Sequence, residues 1–161
     1  MPLKTKPVFF VDAMLGNIAK KLRLMGFDSR YDSQIADDDL INLAMEENRL
    51  IISRDSELIR KSSKLGIKSI LVQKKEEHDQ LYELIKSLNL KKIEICGDNA
   101  RCPLCNSKTE STKKELVLNR IPKGVLKTNE KFWICKNCDK IFWEGSHITN
   151  LQKLVLELNE R

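Results

Sequence analysis

The chain contains no run of about 18 consecutive apolar residues, so no membrane-spanning helix is expected. The first apolar stretch, behind the basic MPLKTKP, is too short for a signal-peptide core and ends in Asp12. These two absences point to a protein of the cytoplasm. Cysteine is missing from the first 95 residues, and all five cysteines fall between Cys96 and Cys138. A disulfide scaffold spreads its cysteines more evenly, and cytoplasmic thiols stay reduced. The clustered set therefore reads as a local metal site. Internal repeats and low-complexity segments are also absent.

What is present suits one domain of about 100 residues with a small appendage. Of the 161 residues, 41% are hydrophobic, enough for a core, and 32% are charged. The net charge of +6 permits a nucleic-acid partner without requiring one.

Residues 1–95 alternate apolar runs with helical periodicity. Strands are expected at Val8–Val11, around Asp28–Tyr31, at Leu50–Ser53, at Ser69–Val72 and at Ile93–Cys96. Helices are expected from Leu15 to Met25, from the Asp37-Asp38-Asp39 run to Asn48, from Glu57 to Leu65 and from Glu77 to Leu88. This alternation predicts an α/β fold, a parallel sheet with helices on both faces. Ligands of such sheets bind outside the carboxyl ends of the strands. From residue 96 to residue 161 the pattern changes. Two Cys-x-x-Cys pairs bracket a long loop, with strand-like runs at Glu115–Ile121 and Lys131–Ile134, and an amphipathic helix closes the chain at Asn150–Leu158.

The pairs Cys102/Cys105 and Cys135/Cys138 have zinc-knuckle spacing. Two intervening residues let both thiolates of a pair reach one ion, and two pairs complete a tetrahedral shell. The 29 residues between the pairs fit a ribbon hairpin. Four thiolates close the shell to water, so the zinc is expected to be structural. Cys96 reads as a small apolar residue.

Asp12 and Asp55 each stand just past an apolar strand. With Asp37 or Asp38 they would gather several carboxylates at one sheet edge. Such a cluster is costly unless a cation neutralises it, and magnesium or manganese prefers oxygen ligands. A cation there can activate water and offset charge on a phosphodiester. A single aspartate at such a position is more commonly a helix cap. Asp37 is the first choice within the acidic run and Asp38 the second, because Asp38 and Asp39 also suit the positive end of the helix dipole. Asn17, Lys20, Lys21, Arg23 and Arg54 lie near these acids in sequence; such residues more commonly form a solvated helix face, and their functional reading is contact with phosphates. Trp143 and Phe142 suit either stacking on bases or packing in the ribbon core and against the domain, and His147 suits either a phosphate contact or a cap of the last helix.

The segments FFVDAMLGNIAKKLRLMGFDSRYD, DDDLINLA, NRLIISRDSEL, DQLYELI, RCPLCN and FWICKNCDKIFWEGSH follow one another in order. Together they resemble the Mut-seven C-terminal RNase domain family, over nearly the whole chain. The resemblance implies a PIN-like nuclease fold at residues 1–95 and a zinc ribbon with a C-terminal helix at residues 96–161. It also implies a metal-dependent ribonuclease with acids at the strand ends, falling on Asp12, Asp55 and Asp37 or Asp38. PIN-like nucleases usually carry a fourth acid. Gln73-Lys74 stand at the expected strand exit, which leaves only Asp79 as a candidate.

Two other readings stay open on the sequence. The chain could be a non-catalytic RNA-binding or ribosome-associated adaptor, its acids capping helices. It could also be a phospho-receiver domain, which the single acid after Val11, the adjacent Arg54 and the cysteine pairs oppose.

Overall fold

The structure is a computed structural model that describes residues 6–90 and 93–160. The residues 1–5 read for a targeting segment lie outside the described residues. The chain divides into two compact units. One comprises the described residues up to Leu22 together with 27–90; the other comprises Arg23–Gly26 together with 93–160. Among the described residues no helix is long and apolar enough to cross a membrane.

The first unit is built on four short strands, β1 (Phe9–Val11), β2 (Ser29–Tyr31), β3 (Leu50–Ser53) and β4 (Ser69–Leu71). They pair in parallel in the order β2-β1-β3-β4. Phe9, Phe10, Val11, Ile51 and Ile52 are fully buried. Burial on both faces explains why β1 and β3 read as continuous apolar runs rather than as alternating patterns. The helices are α1 (Gly16–Leu24), α2 (Asp37–Glu47), α3 (Ser56–Lys64) and α4 (Glu77–Ser87). A 3-10 turn, Ala13–Leu15, leads from β1 into α1. Leu40, Ile41 and Ala44 of α2 share a core with Phe10, Ile51 and Leu58, the i, i+1, i+4 face of an amphipathic helix. Asn48 (φ 54°) and Gly66 (φ 78°) end α2 and the α3 segment in the left-handed conformation.

At the amino edge of this sheet Arg49 ties three elements together. Its guanidinium donates to the carbonyl of Phe9 at 3.1 Å, to Asp28 Oδ1 at 2.7 Å and to Glu47 Oε2 at 2.6 Å. The bond from Arg49 holds the Glu47 carboxyl below its ordinary range.

The second unit holds an antiparallel sheet, β5 (Glu110–Thr112), β6 (Phe132–Cys135) and β7 (Lys140–Phe142), in that order. Helices α5 (Lys123–Thr128) and α6 (Ser146–Glu160) complete it. Val117, Ile121 and Phe132 form its apolar core, joined by Ile141 and Trp143. Gly97 lies flat under Trp133, whose ring would be only 2.1 Å from a Cβ at that position. The Trp133 indole N–H donates to Asp98 Oδ1 at 2.9 Å.

Two expected strands do not form. Residues 115–121 are not a strand; Lys114–Leu116 is a 3-10 turn. Val117 and Ile121, four residues apart, are the two that bury, while Leu116 and Leu118 face outward. That spacing belongs to helical turns. Residues 93–96 form no strand with any of the described residues and fall in the second unit. Side-chain amides of α6 hold them instead. Gln152 donates to the Ile95 carbonyl at 2.9 Å and Asn159 to the Ile93 carbonyl at 3.0 Å.

Candidate functional site

The sheet order reverses direction between β1 and β3, since the chain moves from β1 outward to β2 and then returns to β3 on the other side. Crevices of parallel sheets open at such points, at the carboxyl ends. Asp12 follows β1 and Asp55 lies just beyond β3, on the two sides of this switch point. The Asp12 amide donates to the Ile52 carbonyl at 2.9 Å, so the ladder runs one residue past β1 and carries Asp12 alongside Ser53.

Asp12 is buried, at 8% exposure. Its Oδ1 accepts from the Ala13 amide at 2.8 Å and its Oδ2 accepts from the Ser53 hydroxyl at 2.6 Å. Ser53 Oγ in turn accepts the Asp55 amide at 2.9 Å. A hydroxyl has one proton to give, and Ser53 gives it to Asp12. One fully buried serine thus holds the Asp12 carboxylate and the Asp55 backbone amide. The motif reading did not single out Ser53; its signal was a hydroxyl closing an otherwise apolar strand. Asp55 Oδ1 accepts the Glu57 amide at 2.9 Å and caps α3.

Asp37 opens α2, but its side chain does not cap the helix; the cap position belongs to Ala36, without a side-chain bond. The Asp37 carboxyl is raised above its ordinary value by partial desolvation, then by the charges of Asp12 and Asp55, with Lys61 opposing. Asp12, Asp37 and Asp55 therefore share one electrostatic neighbourhood. Asp38 is exposed and adds a smaller push on Asp37. Asp79 is exposed in the first turn of α4 beside His78. A carboxylate that sequence reading missed does reach the exit of β4. Glu83, ten residues further on in α4, accepts the amides of Gln73 and Lys74 at 3.1 Å and so clamps that loop.

The 3-10 turn after Asp12 is fixed from the side. The Tyr31 hydroxyl donates to the Ala13 carbonyl at 2.8 Å. A Cβ on Gly16 would stand 2.9 Å from that hydroxyl oxygen, which explains the need for glycine in the Asp-Ala-Met-Leu-Gly segment. Met14, in the same turn, is 70% exposed.

The basic residues divide. Asn17, Lys20 and Arg54 are exposed. Lys21 is paired with Glu77 of α4. Arg23 does not belong to an exposed basic surface. It is buried in the second unit, where its guanidinium donates to the Pro103 carbonyl at 2.8 Å and its own carbonyl accepts the Arg101 amide. Trp143 is half-buried and packs against the Val117–Ile121–Phe132 core. His147 is exposed in the first turn of α6.

Cys102, Cys105, Cys135 and Cys138 do converge. Their sulfurs all lie within 4.8 Å of one another, the one such group of three or more metal-ligating side chains among the described residues. The carboxylates at the sheet edge are thus more widely spaced than these sulfurs. A tetrahedral shell with Zn–S of about 2.3 Å needs sulfurs about 3.8 Å apart, and Cys105 and Cys135 stand at 3.4 Å. All five cysteines are free thiols. Burial opposes ionisation of Cys105, yet hydrogen bonds from Ser107 and Asn137 draw it down to about 5. Cys138, bonded to Cys105 and itself desolvated, is pushed up to about 12. Sulfurs so close cannot all ionise unless a cation binds them, and the donor set fits zinc. Cys135 also accepts the Cys138 amide at 3.4 Å, the backbone support expected in a knuckle.

Comparison with known proteins adds one finding. Neither the curated proteins nor the solved structures gave a match. The sequence model of the Mut7-C RNAse domain matches residues 7–155, nearly all of the 161. That match spans the strand-exit acids, the serine between them and both cysteine pairs, and the chain belongs to the Mut7-C RNAse domain family.

Proposed function

We propose that the chain is a ribonuclease of PIN-like type that hydrolyses RNA phosphodiester bonds with the help of magnesium or manganese. The observation that carries this reading is the state of Asp37. Its carboxyl is uncommitted to capping and is raised first by partial desolvation and then by the charges of Asp12 and Asp55. Three carboxylates in one field at the carboxyl edge are a donor set for a hard cation. Such a cation, when bound, would lower the pKa of a water and offset charge on the phosphodiester. Asp12, oriented through Ser53, and Asp55 would hold it, while Asp37, or Asp38 beside it, would orient the attacking water. Exposed Lys20, Arg54 and Asn17 would meet the RNA backbone. The four cysteines would hold zinc in a purely structural role.

One observation favours a second reading. Asp12 and Asp55 both make capping hydrogen bonds, as they would in an RNA-binding adaptor without catalysis. A cleavage assay on single-stranded RNA, with and without added manganese, separates the two. Asp12→Asn, Asp37→Asn and Asp55→Asn should each lower manganese-dependent cleavage by at least about a hundredfold. A purely capping role predicts retained activity with about 1 kcal/mol lost on substituting Asp12 or Asp55. Wild-type protein that binds RNA but leaves it intact would establish the adaptor.

A further inference from the structure

The segment between the two cysteine pairs carries charge that no part of the proposed cleavage site uses. Residues 106–134 hold seven basic and three acidic side chains, a net +4 of the chain's +6. Two of those acids are already engaged. Glu130 pairs with Lys114, and Glu110 with Lys136, each at 2.9 Å. Lys113, Lys123, Lys127 and Lys131 are all exposed, and none has an ion pair among the described residues.

Their arrangement is unfavourable for the isolated protein. Lys123 and Lys127 are four residues apart in α5 and share one helix face. The β5–β6 register ends with Thr112 opposite Phe132, and Lys113 and Lys131 are the residues that flank this last pair, where the same register continued one step would set them opposite each other. Like charges at i, i+4 and directly across an antiparallel pair both oppose folding. Two such juxtapositions in one short insert, with Glu110 and Glu130 already paired to other lysines, bring no gain to the fold. A polyanion would relieve both.

We propose that this insert is a docking surface for the phosphodiester backbone of RNA, distinct from the carboxylate edge and indifferent to base sequence. The identity of the polyanion rests on the reading of RNA as substrate. The exposed Leu116 and Leu118 lie between the lysines in sequence. They raise an anionic membrane surface as the competitor to be tested.

The test is a four-lysine variant, Lys113→Gln, Lys123→Gln, Lys127→Gln and Lys131→Gln, made in the full chain with zinc bound. Binding to a fluorescent single-stranded RNA is measured across a salt series. Each lost phosphate contact lowers the slope of log affinity against log salt by about 0.7, so four lower it by about 3. The wild type should then lose roughly fiftyfold more affinity than the variant between about 50 and about 200 mM salt. The variant should keep its zinc, and its melting temperature should hold or rise as like-charge repulsion is relieved. Unchanged affinity and slope would overturn the proposal, as would wild-type binding to anionic phospholipid vesicles but not to RNA. A wild type that binds RNA with the expected slope yet cleaves nothing would support the docking surface and remove only the cleavage reading.

Discussion

Ser53 is the residue on which the arrangement of the acids turns. It is fully buried, donates to Asp12 and accepts from Asp55. Ser53→Ala removes the donor to a buried carboxylate, and a charged hydrogen bond of this kind contributes about 1.5–3 kcal/mol. Denaturant unfolding should register a loss of that size, and cleavage should fall with it. Ser53→Thr, which keeps the hydroxyl, should recover most of both. If Ser53→Ala keeps full activity, the serine has no positioning role. Asp37 gives a pH signature. Its raised carboxyl means that the folded chain holds the proton more tightly than the unfolded chain. The associated stability is complete below the ordinary value of 3.8 and is lost as pH rises through the raised folded value. At neutral pH the ionised Asp37 therefore works against folding in the absence of a divalent cation. Asp37→Asn should melt higher than wild type at pH 7 without magnesium or manganese. That gap should narrow as the pH is lowered, and a lower melting temperature at pH 7 would contradict it.

Among the elements, the short parallel strands depend on ties at their ends as well as on their own hydrogen bonds. At the amino edge the tie is Arg49, whose side chain is only 14% exposed. It bridges β1, Asp28 just before β2 and the last residue of α2. Arg49→Met keeps much of the side chain's apolar bulk but leaves Asp28 and the Phe9 carbonyl without this donor. The expected cost is about 2 kcal/mol in denaturant unfolding. Cleavage by the protein that remains folded should be unchanged, because the acids sit at the opposite edge of the sheet. A change in cleavage without a loss of stability would place Arg49 in the functional machinery instead.

At the scale of the whole molecule, the two units have different sources of stability. The first has a layered apolar core around Phe10, Leu40 and Ile51. The second has an apolar cluster at Val117, Ile121 and Phe132 and four converging sulfurs that could hold zinc. Structural zinc contributes folding free energy directly. Both tryptophans, Trp133 and Trp143, lie in the second unit, so their fluorescence reports on it alone. Stripping zinc should shift tryptophan emission to the red as buried Trp133 meets water. The helical signal of the first unit should largely remain. Unshifted emission after metal analysis shows zinc gone would mean that the second unit stands without the ion.

Sequence alone determined the order of elements through β4 and α4, because fully buried strands and amphipathic helices leave their periodicity in local composition. It also determined the grouping of the cysteines, since two-residue spacing is itself the geometry of a knuckle. The positions of Asp12 and Asp55 just past their strands followed in the same way. Tertiary structure alone decided the rest, because the remaining interactions join residues far apart in the chain. The Ser53–Asp12 bond spans 41 positions and the Arg23–Pro103 bond 80, and neither leaves a local signal. Glu83 reaches the loop after β4 from a helix, where no strand-exit pattern would look for it. Residues 115–121 have strand-forming composition, yet Val117 and Ile121 are drawn to Phe132 as helical turns, a choice made by the core they join. Arg23 reads as one more basic residue on a helix, and only the fold buries it.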